Sequence, residues 1–233
     1  MEASPGPRKR GRPRTGWSKE KMTGITLHPE LVKLIGVIKE SYSLSNNTRT
    51  LEFLMKILDF HKHDRVVLCM ELEEGALDRI MKYLDKHIHT YLMRRWVILD
   101  PDTGRKRLIP DLCAKPLSLD IVDFKLPPAR PSNIIVEKEV ARRFREIKKW
   151  NGYSNDQAVK HLISVFFRLD LVRDELCSKM AGAEANVFVW EKLLTKIYPD
   201  ESLVEFVKRY WLENTQGLYR LSPEVCAHGG PTS

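Results

Sequence analysis

Something very like one segment of this chain occurs a second time. Residues 25–57 read ITLHPELVKLIGVIKESYSLSNNTRTLEFLMKI, and 109 positions on, without a gap, residues 134–166 read IIVEKEVARRFREIKKWNGYSNDQAVKHLISVF. Few residues are identical, yet the apolar positions coincide. Ile25 matches Ile134, Leu27 Val136, Leu31 Val140, Ile35 Phe144 and Ile38 Ile147; further on, Phe53 matches Leu162, Leu54 Ile163 and Ile57 Phe166. A repeat constrains a fold strongly, because each copy is one supersecondary unit that must bury its apolar face against another.

Each copy changes hydrophobic period. Ile25 and Leu27, or Ile134 and Val136, alternate as in a short half-buried strand. Leu31, Leu34, Ile35 and Ile38 then fall at i, i+3, i+4 and i+7, one stripe of a helix. After a break, a second helix is expected to begin at Ser45 in the first copy and Ser154 in the second, each hydroxyl accepting from an unpaired helical N–H. Gln157, three residues past Ser154, completes a capping box. Gly152 suits the left-handed turn ending the preceding helix, and Ser43 stands at that place in the first copy. A strand, helix, turn and helix in roughly 45 residues cannot bury a core alone.

This layout, with the Asn151-Gly-Tyr-Ser154 turn as its most characteristic motif, resembles the ribbon-helix-helix fold of Arc- and MetJ-type repressors. The resemblance covers two segments of roughly 35 residues. It implies a mainly α chain in which two ribbon-helix-helix-like repeats pair as a pseudo-dimer through a short antiparallel β-ribbon, residues 24–27 against 133–136, with additional helices and a β-hairpin. In that family the outward strand residues read base edges in the major groove. Here those positions are Gly24 and Thr26, with Met22, and Asn133 and Ile135, so Thr26 and Asn133 are the candidate base contacts. The second helices start near Asn46 and Asn155, whose backbone N–H groups would hold phosphates, with Asp156 opposing this in the second copy.

The net charge of +8 is uneven. Residues 1–22 hold seven Lys/Arg against two Glu, and the rest 32 against 29, so most of the excess is a tail. That tail is rich in Pro, Gly, Ser and Arg and has nothing to bury, the composition of a disordered arm. Arg8, Lys9, Arg10, Gly11, Arg12, Pro13 and Arg14 resemble an AT-hook, built on Arg-Gly-Arg-Pro. The resemblance implies binding in the minor groove of A·T-rich DNA: Gly11 lets the backbone approach the groove floor, and Arg10 and Arg12 reach into its negative potential. Lys19 and Lys21 continue the basic run into the first strand. Such a cluster also serves as a nuclear localisation signal.

Between the repeats, residues 75–95 carry Leu77, Ile80, Met81, Leu84, Ile88 and Leu92 at helical spacing, and residues 96–109 read as a hairpin across Asp-Pro-Asp-Thr-Gly. Arg105, Lys106 and Arg107, with Arg94 and Arg95, form a second candidate phosphate patch. Pro110, Pro116, Pro127, Pro128 and Pro131 make a stiff connector. Beyond the second copy, helices are expected over 169–180, 185–198 and 201–214, then a disordered tail over 222–233. The implied organisation is an arm (1–21), repeat 1 (22–60), connector (61–130), repeat 2 (131–168), C-terminal helices (169–221) and tail (222–233).

No catalytic, metal or cofactor motif emerges. Cys69, Cys113, Cys177 and Cys226 are scattered without a C-x-x-C pair, which points to a reducing compartment and buried thiols. The pairs His61/His63 and His87/His89 lack a third coherent ligand and read as exposed or capping residues. Asp85, Asp100, Asp111 and Asp120 would be needed for a hidden nuclease, but no paired constellation marks one. No run of 18 apolar residues suggests a membrane span. The expectation is a nuclear DNA-binding regulator of transcription or chromatin, and not an enzyme. The rival expectation is an interaction scaffold, tethered to DNA by its arm alone, that forms a homodimer or holds a protein partner through the repeats or C-terminal helices.

Overall fold

Alternation along two short strands sets the architecture. The computed structural model describes residues 21–70, 77, 81–82, 84–99, 103–104, 106–109, 112–113, 122, 124–198 and 200–227. In order these form β1 (Met22–Leu27), α1 (Pro29–Ser41), α2 (Asn47–Asp59), a π-helical turn (Phe60–Asp64), α3 (Arg65–Met70), α4 (Lys86–Arg95), β2 (Val97–Leu99) and β3 (Lys106–Leu108). There follow β4 (Ser132–Glu137), α5 (Lys138–Asn151), α6 (Asn155–Phe167), α7 (Leu169–Met180), α8 (Val187–Ile197), α9 (Glu201–Tyr210), β5 (Leu212–Thr215), β6 (Leu218–Leu221) and α10 (Pro223–Ala227). The fold is mainly helical, with three two-stranded antiparallel sheets among the described residues.

β1 and β4 pair antiparallel, with Gly24 opposite Ile135, Ile25 opposite Ile134 and Thr26 opposite Asn133. Ile25 and Ile134, equivalent positions of the two copies, thus face one another. Ile25, Leu27, Ile134 and Val136 are buried, while Gly24, Thr26, Asn133 and Ile135 point to solvent. Beneath the ribbon lie the stripes of α1 (Leu31, Leu34, Ile35, Ile38) and α5 (Val140, Ala141, Phe144). Each fully buried Leu, Ile or Phe stabilises by roughly 1.5–3 kcal/mol, which is why this face sets the strand register.

Both first helices end in the same motif. Ser43 (φ 51°) and Gly152 (φ 66°) occupy the left-handed region. Leu44 N–H donates to Lys39 C=O at 2.8 Å and Tyr153 N–H to Lys148 C=O at 2.9 Å, the long bond of a Schellman cap. The next step differs. Ser154 caps α6 with the expected capping box, but α2 is capped by Asn46, whose Oδ1 accepts from Arg49 N–H at 3.0 Å. The first copy therefore has one more residue between its left-handed position and its cap, and Ser45 is not the cap. Past the turn the equivalence shifts from 109 to 108 positions. Two bonds between the copies show it: Thr48 Oγ1 accepts from Glu137 N–H at 3.1 Å, and Asp156 Oδ1 accepts from His28 N–H at 2.8 Å.

The remaining segments share this core through an aromatic chain. Tyr42 meets Phe53 at 5.0 Å and Phe166 at 5.5 Å; Phe166 meets Tyr91 at 5.6 Å and Phe167 at 4.8 Å; Phe167 reaches Phe206 at 5.6 Å. Both copies, the connector and the C-terminal helices are thereby packed into one cluster.

Several sequence expectations are corrected. The helix expected over 75–95 is interrupted: Leu77, Met81 and Lys82 are helical, Leu84 and Asp85 are not, and α4 starts at Lys86, capped by Asp85 Oδ1 accepting from His87 N–H at 2.9 Å. The expected helix over 201–214 stops at Tyr210. Residues 212–221 form the β5–β6 hairpin, turned by Gln216 (φ 57°) and Gly217 (φ 89°), with Asn214 Oδ1 accepting from Gly217 N–H. The cysteines are not free thiols: Cys69 is bonded to Cys113 and Cys177 to Cys226. The second bond ties α10 to α7, so residues 223–227 are helical where a disordered tail was expected; residues 228–233 lie outside the described part. His61 is neither exposed nor capping. It is 1% exposed, with Nε2 2.9 Å from the Tyr91 hydroxyl.

Candidate nucleic-acid interface

The solvent face of the β1–β4 ribbon carries Gly24 and Thr26 from one strand and Asn133, Ile135 and Glu137 from the other. Alternation dictates this face, since every second residue is committed to the core. Thr26 Oγ1 donates to Asn133 Oδ1 across the strands at 2.8 Å, so the two candidate base-reading side chains engage one another. Ile135, 54% exposed, lies opposite Gly24. Asn155 adjoins this face: its Nδ2 donates to Thr26 C=O at 3.0 Å and its Oδ1 accepts from Lys148 Nζ at 2.8 Å. Asn46 spends its side chain on the α2 cap. Asp156 is engaged with His28 N–H. Lys21 is exposed one residue before β1, while Arg8, Lys9, Arg10, Gly11, Arg12, Pro13, Arg14 and Lys19 lie outside the described residues.

Charge on the two first helices is unequal. α5 carries six Lys/Arg against two Glu, whereas α1 carries two Lys against two Glu. Two of the six cations are paired with carboxylates. Arg142 pairs with Glu139 and Glu146, and its hydrogen bond holds the Glu139 carboxyl below the usual carboxylate range. Arg143 pairs with Asp59 of α2 at 2.7 Å. Arg145 and Lys148, which the sequence reading passed over, pair with no carboxylate among the described residues. Arg145 Nε donates to Ala141 C=O at 3.2 Å, and both side chains border the ribbon at Thr23 and Gly24. Their i, i+3 spacing on a helix signals only a shared face, not what that face adjoins.

The second candidate patch dissolves in part. Arg94 Nη1 donates to Ser41 C=O at 2.6 Å and sits over the Tyr42 ring, and Arg95 bridges Asp200 at 2.9 Å and Phe167 C=O at 2.9 Å. Both hold the helices together. Lys106 and Arg107 are exposed on β3, and Arg105 is outside the described residues. Asp85 is spent on its cap and on Lys56 at 3.1 Å; Asp100, Asp111 and Asp120 also lie outside the described residues. Burial, reinforced by the Arg168, Arg65 and Arg95 cations, pushes the His61 imidazole well below its ordinary value. Among the described residues no cluster of three His, Cys, Asp or Glu could hold a metal, and no helix is long and apolar enough to cross a membrane. Comparison with protein-family models, characterised proteins and solved structures finds no match, so geometry and chemistry alone carry the functional argument.

Proposed function

We propose that this chain is a DNA-binding regulator of transcription or chromatin, built on two ribbon-helix-helix-like units joined in one polypeptide as a pseudo-dimer. The observation that carries the reading is the pairing of β1 with β4, in which equivalent residues of the two copies meet and one face of the ribbon is left to solvent. The N-terminal ends of α2 and α6, tied to the ribbon through Thr48 and Asn155, supply backbone donors for phosphates. The arm at Arg8–Arg14 enters the minor groove of A·T-rich DNA and supplies most of the attraction that does not depend on sequence.

A second reading is favoured by the bond between Thr26 and Asn133 and by the exposed Ile135. In it the repeats are a scaffold for a second copy or a protein partner, and DNA is touched by the arm alone. The two disulfides bear on location, since such bonds are rare in reducing compartments outside hyperthermophiles.

The test is duplex binding, over a range of salt concentrations, by the full chain and by its Arg10→Ala/Arg12→Ala variant, on random and A·T-rich sequences. Retained preference for particular sequences in the variant supports readout by the ribbon. Loss of all binding with those two arginines refutes it in favour of the tethered scaffold.

A further inference from the structure

Beside the ribbon, β1, α5 and Asn155 of α6 line an open cavity of about 170 Å³. We propose that it seats one phosphate of a DNA backbone, held by Arg145 and Lys148. The inference rests on the DNA-binding reading above and adds which half of the ribbon is anchored.

Four observations carry it. First, the side chains around the cavity include two cations and no carboxylate. Second, neither cation meets a carboxylate among the described residues, in contrast to Arg142 and Arg143 on the same helix, and of the unpaired α5 cations these two are the ones that line the cavity. Third, both are held in place without losing their charge. Arg145 Nε is anchored to Ala141 C=O, and Lys148 Nζ to Asn155 Oδ1, so each keeps further N–H donors for an anion. Asn155 is also the first residue of the 13-residue helix α6, whose N-terminal dipole end favours negative charge. Fourth, Gly24 lines the cavity without a side chain, and the space beside its Cα is open.

The other half of the ribbon lacks this arrangement. One repeat length back, Gly36 stands where α5 has Arg145, and Lys39 where it has Lys148; one repeat length on, Asn133 stands where β1 has Gly24. One cation replaces two, and an asparagine replaces the glycine. The basic arm joins the fold through Lys21 and Met22, next to Thr23 at the cavity. Arm and phosphate seat therefore adjoin the same strand, and the protein grips DNA with a fixed polarity despite its internal repeat.

The experiment measures the slope of log K against log salt for the full chain on a duplex. Neutralising the seat by Arg145→Gln/Lys148→Gln makes the slope shallower by about 0.9, the value for one lost phosphate contact. The charge-keeping pair Arg145→Lys/Lys148→Arg restores the slope, which loss of fold would not allow, and Lys39→Gln leaves it unchanged. An unchanged slope in the neutralised variant, no restoration by the charge-keeping pair, or an equal effect of Lys39→Gln overturns the proposal. So does a rise in Tm with inorganic phosphate alone that the neutralised variant loses, since the seat would then serve a free anion. Failure of the broader reading shows elsewhere, as loss of all binding in the Arg10→Ala/Arg12→Ala variant.

Discussion

Truncating Ile134 to Ala should unfold both copies as one unit. Ile134 is 1% exposed and lies opposite Ile25, itself 6% exposed, at the centre of the ribbon. The change removes methyl and methylene groups worth about 0.8 kcal/mol each and leaves a cavity between two elements that cannot close independently. The expected cost is about 3–4 kcal/mol, within the range for Ile→Ala in a core, and a large part of the 5–15 kcal/mol typical of a folded domain. With an m-value of about 2–3 kcal/mol/M, the urea midpoint falls by about 1–2 M. The assay is urea unfolding followed by segment-resolved hydrogen exchange. Amides of α2 and α6 should lose protection together, because Thr48 holds Glu137 N–H and Asp156 holds His28 N–H across the two copies. Two separate transitions, or lost protection in α6 with α2 unchanged, would refute the reasoning. Ile134→Asp buries an unpaired carboxylate at the same point and should abolish folding of both copies.

Three further outcomes are expected. Burial lowers the His161 imidazole from its ordinary 6.5 to about 4. The unfolded chain therefore binds the extra proton first, and stability falls as pH drops from 6.5 towards 4, by about 3 kcal/mol at most. Urea titrations at several pH values should show that His161→Phe flattens this fall, and an unaltered pH profile would contradict the assignment. Opening the Cys177–Cys226 bond, which closes a 49-residue separation, should cost about 4 kcal/mol on the chain-entropy model. The denatured, unreduced protein should show no reactive thiol at its four cysteines, and a full complement only after reduction. Ser43→Gly should raise stability by about 0.5–1 kcal/mol, because Ser43 holds a left-handed φ of 51° that glycine adopts freely; a lower Tm would show that the Ser43 side chain contributes more than its backbone costs.

What could be read from the sequence was local or repeated. The alternation at Ile25/Leu27 and Ile134/Val136, the Gly152 turn and the Ser154–Gln157 capping box each depend on contacts within five residues, and the structure has them as expected. The repeat length of 109 added the one long-range relation available without coordinates, the facing of residues 24–27 and 133–136. The rest turned on competition or distance. Asn46 displaced Ser45 as a cap because the first loop is one residue longer, and two neighbouring polar side chains compete equally well on paper. The β5–β6 hairpin hides behind a Gln-Gly turn, a weaker signal than Asn-Gly.

Tertiary structure alone joined cysteines 44 and 49 residues apart, buried His61 against Tyr91, drew the Arg95 side chain between Asp200 and Phe167 C=O, and tied the exposed Arg94 to Ser41 C=O. It also left Arg145 and Lys148 as the unneutralised pair beside the ribbon. Charge type and helical face are written in the sequence. Whether a cation meets a carboxylate, a backbone carbonyl or an open cavity depends on which distant element packs against it, and here that element is β1, more than a hundred residues away.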